Sequence, residues 1–363
     1  MKKIISLTLA LLLIITCVPV ANALNFNGFV YVDNGDGTCN ITGYNNFYEE
    51  DVVIPPSING LTVVSVTGFR QKNNIRFVTV PNTVESIGAN AFYGCKNLFS
   101  VSVGTGVKTI GDHAFNSCTE ITGLNLRNTE SVGNYAFYGC TELSELYMGS
   151  ALKHIGTRAF WNCKKLNFIK MSPVLETVGD YAFSNGELIP SLAFPDTLRS
   201  IGTSSFSNCK GLESVTFGTG ELTIGMYAFE NCVLLTEVTI PENVTYIGRN
   251  AFAFRETDST ETTHTVKINC HLGSAGVTYS IRNNAPVYII ELDRTINEFG
   301  DIDGDNDVTT LDARKALRLA GGMDTDVTEE MLLLGDLNQN GYFDLYDANL
   351  ILERAANIST VSQ

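Results

Sequence analysis

An apolar residue followed by glycine recurs at Ile87-Gly88, Ile110-Gly111, Val132-Gly133, Ile155-Gly156, Val178-Gly179, Ile201-Gly202, Ile224-Gly225 and Ile247-Gly248, at spacings of 23, 22, 23, 23, 23, 23 and 23 residues. Four residues after each glycine stands phenylalanine: Phe92, Phe115, Phe137, Phe160, Phe183, Phe206, Phe229 and Phe252. Three residues further on comes cysteine at Cys95, Cys118, Cys140, Cys163, Cys209 and Cys232, with Gly186 and Arg255 as the exceptions. A unit this short cannot bury its own apolar face, so successive units must stack and share one core.

Each unit runs on into an L-x-x-V-x-V segment, as in Leu98-Val101-Val103, Leu143-Leu146-Met148 and Leu212-Val215-Phe217. Period-two alternation marks a short strand with one buried face, and parallel stacking sets neighbouring strands about 4.8 Å apart. Val64, Phe69 and Ile75-Val78-Val80 read as a degenerate first coil in the same register. Upstream, Phe29-Val30-Tyr31-Val32, the turn Asn34-Gly35-Asp36-Gly37 and Asn40-Ile41-Thr42 predict a capping hairpin. Downstream, Val266-Lys267-Ile268 and an amphipathic stretch from Ser274 to Asn283 predict a closing cap that keeps the last coil's apolar edge from water.

Over residues 26–290 this pattern resembles the leucine-rich repeats of the BspA type, the treponemal 23-residue class. The segment Val52-Val53-Ile54-Pro55 through Ile58-Asn59-Gly60 is similar to that family's entry. The asparagine ladder of other leucine-rich repeats is missing, as is usual in this class: Thr105, Asn128, Ser150, Pro173, Asp196, Thr219 and Glu242 occupy the comparable turn. The resemblance implies a secreted or surface protein that binds or adheres.

Lys2 and Lys3, the apolar run Ile4–Val20 and the small-residue site Ala21-Asn22-Ala23 predict a signal peptide over 1–23 and hence an extracellular protein without a membrane span. The net charge of −15 is unevenly spread. Residues 300–363 hold 13 acidic and 4 basic side chains (−9), against 26 and 20 (−6) in the rest. Acidity of that kind argues against nucleic acid, whose phosphates need Lys and Arg, and points to a cation site. The six repeated cysteines fit a slot for a small apolar residue, while export leaves oxidation open.

The acidic end holds two loops at an offset of 35 residues, 301–312 and 336–347, with oxygen-bearing side chains at loop positions 1, 3, 5, 9 and 12. A hard cation such as Ca²⁺ takes about six to eight oxygens, and this spacing supplies them from one tight loop. The first loop offers Asp301, Asp303, Asp305 and Asp312, with the Asp307 carbonyl and Thr309. The second offers Asp336, Asn338, Asn340 and Asp347, with the Tyr342 carbonyl and Asp344. Two Ca²⁺ ions are expected, with Asn306 and Gly341 turning the chain at position 6. A helix follows each loop, with stripes Ala313, Ala316, Leu317, Ala320 and Ala348, Ile351, Leu352, Ala355 facing each other. Thr328, Glu329 and Glu330 open a connecting helix through Leu334.

The first loop lacks the preceding amphipathic helix of a full EF-hand. The duplicated loop-helix over residues 298–358, with Asp at position 12, resembles a type I dockerin. That resemblance implies calcium-dependent docking into a cohesin module of a cellulosome scaffold, read out by Thr310, Leu311 and Arg318 in one half and Leu345, Tyr346 and Glu353 in the other. Because the halves differ, symmetric two-way binding is not expected.

No catalytic motif stands out, and the four histidines His113, His154, His264 and His271 lack metal-ligand spacing. Two aromatic tracks, Tyr93, Tyr138, Trp161 and Tyr135, Tyr181, Tyr227, together with Tyr147 and Phe168 on adjacent strands, are candidate ligand-binding rows for a polysaccharide or a protein. The alternative is that these rings only cover the coil edge. The expected fold class is thus an α/β leucine-rich-repeat solenoid of parallel strands and short coils, followed by a small all-α paired loop-helix module. Its divisions are a signal peptide (1–23), an N-terminal cap (24–62), repeats and closing cap (63–292), a linker (293–299) and the dockerin-like module (300–359). The functional expectation is a non-catalytic, cellulosome-associated binding protein supporting polysaccharide breakdown. A glycoside hydrolase of unrecognised type, or a cell-surface adhesin, is the alternative.

Overall fold

In the computed structural model the described residues are 23–255, 262–263, 266–271, 274–283, 285, 287–289, 294–296, 299–305, 307–324, 326–327, 331, 334–337 and 343–361. The signal-peptide expectation and most of the connecting helix at 328–334 fall outside them. Among the described residues no helix is long and apolar enough to cross a membrane.

The 23-residue units stack as parallel coils. Three-residue strands such as Ser100–Ser102, Glu145–Tyr147 and Ser214–Thr216 point one apolar residue inward and leave its neighbours exposed. Each coil also contains a strand the alternation does not reveal. Ser86–Ile87, Thr109–Ile110, Ser131–Val132 and their successors, two to four residues long, pair in parallel within a 13-stranded sheet. The N-terminal cap joins that sheet, with Leu24–Phe26, Phe29–Asp33 and Thr38–Tyr44 antiparallel to one another and Leu61–Val66 parallel to Thr38–Tyr44. Val66, not Val64, pairs with Ile87. The first coil is closed by Gly68 in the left-handed region at φ 84°, which shortens its path to Phe69.

One column of rings runs through the core. Phe92 to Phe252 stack coil on coil at centroid spacings of 5.0 to 5.4 Å, within 8° of parallel. Phe69 extends the column at 4.9 Å, and tyrosines close both ends. Tyr44 stacks on Phe69 at 5.2 Å, and Tyr279 meets Phe252 edge-on while its hydroxyl accepts the Phe252 amide at 3.0 Å. Beside the rings, the six repeat cysteines are buried free thiols, as is Cys39, and Cys270 is buried as well. The repeated glycine is a matter of clearance: a Cβ at Gly156 would stand 2.6 Å from the Gly133 carbonyl carbon of the preceding coil.

Helix α1 (Ala275–Asn283) supplies Tyr279 and closes the solenoid. Beyond it, α2 (Thr310–Ala320) and α3 (Leu345–Val361) pack on each other, and α3 also packs on α1. The expected stripes need correction. Leu317 and Leu352, equivalent at the 35-residue offset, are 50% and 46% exposed, and Leu319 and Leu350 are buried instead. Periodicity at i+3 and i+4 left both leucines eligible, and the packing of α2 on α3 selects Ala313, Ala316 and Leu319 against Ala348, Ile351 and Ala355.

Candidate functional site

The two acidic loops are built by the same hydrogen bonds at the same offset. In the first, Asp312 is fully buried and its carboxylate accepts from the amides of Ile302 at 2.9 Å, Asp303 at 3.2 Å and Thr309 at 2.8 Å. In the second, buried Asp347 accepts from Leu337 at 2.8 Å and Asp344 at 2.9 Å. Thr309 is the N-cap of α2, accepting from the Leu311 amide at 3.0 Å, and with Asp312 it forms a capping box. Asp344 plays the capping part for α3, accepting from the Tyr346 amide at 2.6 Å. The last loop carboxylate therefore ties each loop to the first turn of its helix.

Asp301, Asp303 and Asp305 turn carboxylate oxygens to within 4.8 Å of one another. Asp301 is buried and the other two are exposed. Backbone amides hold them in place: Gly304 donates to Asp301 at 2.8 Å, Asp305 to Asp303 at 3.3 Å and Asp307 to Asp305 at 2.9 Å. The left-handed residue described in this loop is Gly304, at φ 81°, and position 6 lies outside the described residues. Desolvation raises the Asp303 carboxyl, followed by the charges of Asp312, Asp305 and Asp301. Desolvation likewise raises Asp347. Like charges crowded about Asp303, and again about Asp347, make a donor set suited to a hard divalent cation, so these residues fit the expected ion. In the second loop Asp336, Asp344 and Asp347 are described, whereas Asn338, Asn340 and Tyr342 lie outside the described residues.

The residues expected to read a partner divide in two. Leu311, Leu345 and Tyr346 are exposed, as is Thr310. Arg318 instead forms a bidentate pair with Asp324 at 2.8 and 2.7 Å, and Glu353 accepts from Arg282 of α1 at 2.9 Å. These two equivalent helix positions are occupied within the chain, Arg318 by the turn that follows α2 and Glu353 by the closing cap.

On the solenoid edge the two aromatic tracks merge into one. Tyr138 stacks on Trp161 at 4.6 Å and 11°, and Tyr135 sits 5.7 Å from Tyr138. His113 stacks on Tyr135 at 4.8 Å and 10°. Arg70 lies 4.6 Å over Tyr93, and Arg158 lies 4.7 Å over Tyr181 while donating to the Tyr135 hydroxyl at 2.6 Å. These rings stack along the solenoid axis, so where they stack they cover one another's faces and present edges and polar tips outward. A continuous flat platform for sugar rings, one reading of the tracks, is not what this stacking forms. His113, Tyr135, Arg158, Tyr181 and Tyr227 all hold φ of 55° to 57°, where Asn90 and Asn250 sit at the ends of the series. A bulky side chain in this region costs about 1 kcal/mol or more. Tyr147 and Phe168, 5.2 Å apart on neighbouring strands, are 36% and 44% exposed and form a separate patch.

A family model described as BspA type leucine rich repeat region matches in 6 copies over residues 62–189 and 176–271. Among solved structures, the chain is similar to a leucine-rich repeat protein from Bacteroides ovatus, with 23% identity over 69% of this chain and 66% of that one and a TM-score of 0.57. It is also similar to the leucine rich repeat protein of T. pallidum (25% identity, 59% and 90% covered, TM-score 0.46) and to a leucine rich cell surface protein from Faecalibacterium prausnitzii (21%, 68% and 88%, 0.32). The likeness to the Bacteroides protein, of which the chain spans just under two thirds, is one of fold. No curated protein matches the chain.

Proposed function

The chain belongs to the BspA-type leucine-rich repeat family, and from that premise we propose that it is an exported, non-catalytic binding protein whose C-terminal module docks it, through calcium, to a cohesin-type scaffold partner. The matched family is one of repeats. The dockerin reading rests on the chain's own residues. The observation that carries it is the repeated wiring of the two loops: Asp312 to Ile302 and Thr309, and Asp347 to Leu337 and Asp344, beside the Asp301, Asp303 and Asp305 carboxylates.

In this reading Asp301, Asp303, Asp305 and Asp312 hold one ion and Asp336, Asp344 and Asp347 contribute to a second. The ion supplies positive charge that relieves the repulsion among the carboxylates. Exposed Leu311, Leu345 and Tyr346 then form an apolar contact for the partner. The solenoid presents the ligand surface, with Tyr138, Trp161 and the strained Tyr135 on one edge and Tyr147 with Phe168 on the strand face. Backbone strain retained at a row of aromatic residues supports a binding role for that edge. An attachment to a cellulosome, and a part in polysaccharide breakdown, follow from the dockerin resemblance.

The test is capture of residues 24–363 by immobilised cohesin modules, with calcium and with chelator. Capture with calcium alone supports the reading. Failure in both conditions removes the scaffold and leaves a surface adhesin as the function.

A further inference from the structure

The residue two before each apolar-glycine pair is charged through six successive coils, and its sign alternates: Glu85, Lys108, Glu130, Lys153, Glu176, Arg199. These residues form one backbone column. The Lys108 amide donates to the Glu85 carbonyl at 2.8 Å, Glu130 to Lys108 at 2.8 Å, Lys153 to Glu130 at 2.9 Å, Glu176 to Lys153 at 2.8 Å and Arg199 to Glu176 at 2.8 Å. All six are exposed except Glu176, which is half-buried. The adjoining column is built from the short side chains of Ser86, Thr109, Ser131, Thr177 and Ser200, with His154 the one larger member. The charged tips therefore stand beside a column of mostly short side chains, spaced about 5 Å apart along it.

Pairing within the column explains only part of the pattern. Lys108 and Glu130 meet at 3.5 Å, whereas Glu85, Lys153, Glu176 and Arg199 make no ion pair among the described residues. Exposed pairs of this kind contribute about 1 kcal/mol at most.

An alternating column with an even number of rungs is its own complement when reversed. A two-fold axis lying in the plane of the face, across the column between Glu130 and Lys153, sets Glu85 of one copy against Arg199 of the other. The same rotation sets Lys108 against Glu176 and Glu130 against Lys153, each pair occurring twice. An odd number of rungs, or a column of a single sign, would oppose like charges. We propose that this face binds a second copy of the chain, antiparallel, as a two-fold dimer held by six reciprocal charge pairs. Any twist of the solenoids spreads the two columns apart towards their ends, so the central Glu130 and Lys153 pairs close best.

A contact made of exposed charges weakens with salt, because they are felt over about 30 Å at 0.01 M ionic strength but only about 3 Å at 1 M. Sedimentation equilibrium of the full chain at those two salt levels is the experiment, with circular dichroism melts to show that each variant folds. The expected result is a doubled mass at low salt and a monomer at high salt. E130K and K153E each oppose like charges at both central pairs and are expected to raise the dimer dissociation constant at least tenfold. The double variant E130K/K153E restores opposite signs across the interface, although it breaks the alternation within each chain, and is expected to dimerise again. A mass that stays monomeric at low salt overturns the proposal. So does a dimer unmoved by either single reversal, or one that the double variant fails to restore.

Discussion

Cys118 gives its thiol hydrogen to the Phe92 carbonyl oxygen of the preceding coil, 3.1 Å away. Cys95, Cys140, Cys163, Cys209 and Cys232 repeat the contact. Burial pushes the Cys95 thiol up to about 11 and Cys209 to about 12, and it raises Cys118 well above the ordinary range with the neighbouring Cys140 and Cys95 adding to the effect. The folded chain is expected to resist alkylation at pH 8 and to react at all six positions once unfolded in urea. Because the folded thiols keep protons that the unfolded thiols release, this contribution to stability is whole below about pH 9 and falls above it, by about 1.4 kcal/mol per thiol per pH unit until the folded thiols also ionise. Urea midpoints at pH 8 and pH 10.5 measure the fall, and equal midpoints would contradict it.

Gly156→Ala is expected to destabilise the repeats by several kcal/mol, since its Cβ would lie 2.6 Å from backbone atoms that cannot turn aside. Gly123 has nothing within 4 Å of its Cβ position, so Gly123→Ala serves as the control. Comparable urea midpoints for the two variants would show that the coils separate more easily than their contact implies.

Asp312→Ala removes the acceptor for three amides and the N3 member of the α2 capping box. The expected cost is about 1–3 kcal/mol, felt locally. Hydrogen exchange at the Ile302 and Thr309 amides should quicken at least tenfold, while exchange at Phe137 stays as it was. Asp347→Ala should do the same for Leu337.

Trp161 is the one tryptophan of the chain and stacks on Tyr138, so its fluorescence reports on the solenoid edge. Tyr138→Ala uncovers one indole face and should shift the emission to the red. A ligand that binds this edge should shift the emission of the unaltered chain, and Tyr138→Ala should weaken that ligand. A ligand that binds the full chain without moving the signal uses another surface, with Tyr147 and Phe168 the next to test.

The repeat, its strand and its cores of Phe and Cys are legible because side-chain burial repeats with the period of the chain. The second strand of each coil is hidden, since two residues such as Thr109 and Ile110 cannot display an alternation. The place of Val66 depends on a tight Gly68 turn that leaves no regular mark in the spacing. His113 was missed because an imidazole among tyrosines breaks the residue type of a track while keeping its coil position. In the acidic loops the sequence names the carboxylates. It does not show that Asp312 spends its oxygens on Ile302, Asp303 and Thr309, nor that Glu353 is held by Arg282 of the solenoid cap.

The alternation from Glu85 to Arg199 sets a rule of parity on how this protein can change length. One coil added or lost within the run would leave the rings, thiols and glycines matched, since each of those columns repeats in every coil. It would also bring two like charges side by side and leave an odd number of rungs. Coils exchanged in pairs disturb nothing. The smallest neutral step in this part of the chain is therefore two coils, 45 or 46 residues, and its lineage should lengthen or shorten by twos.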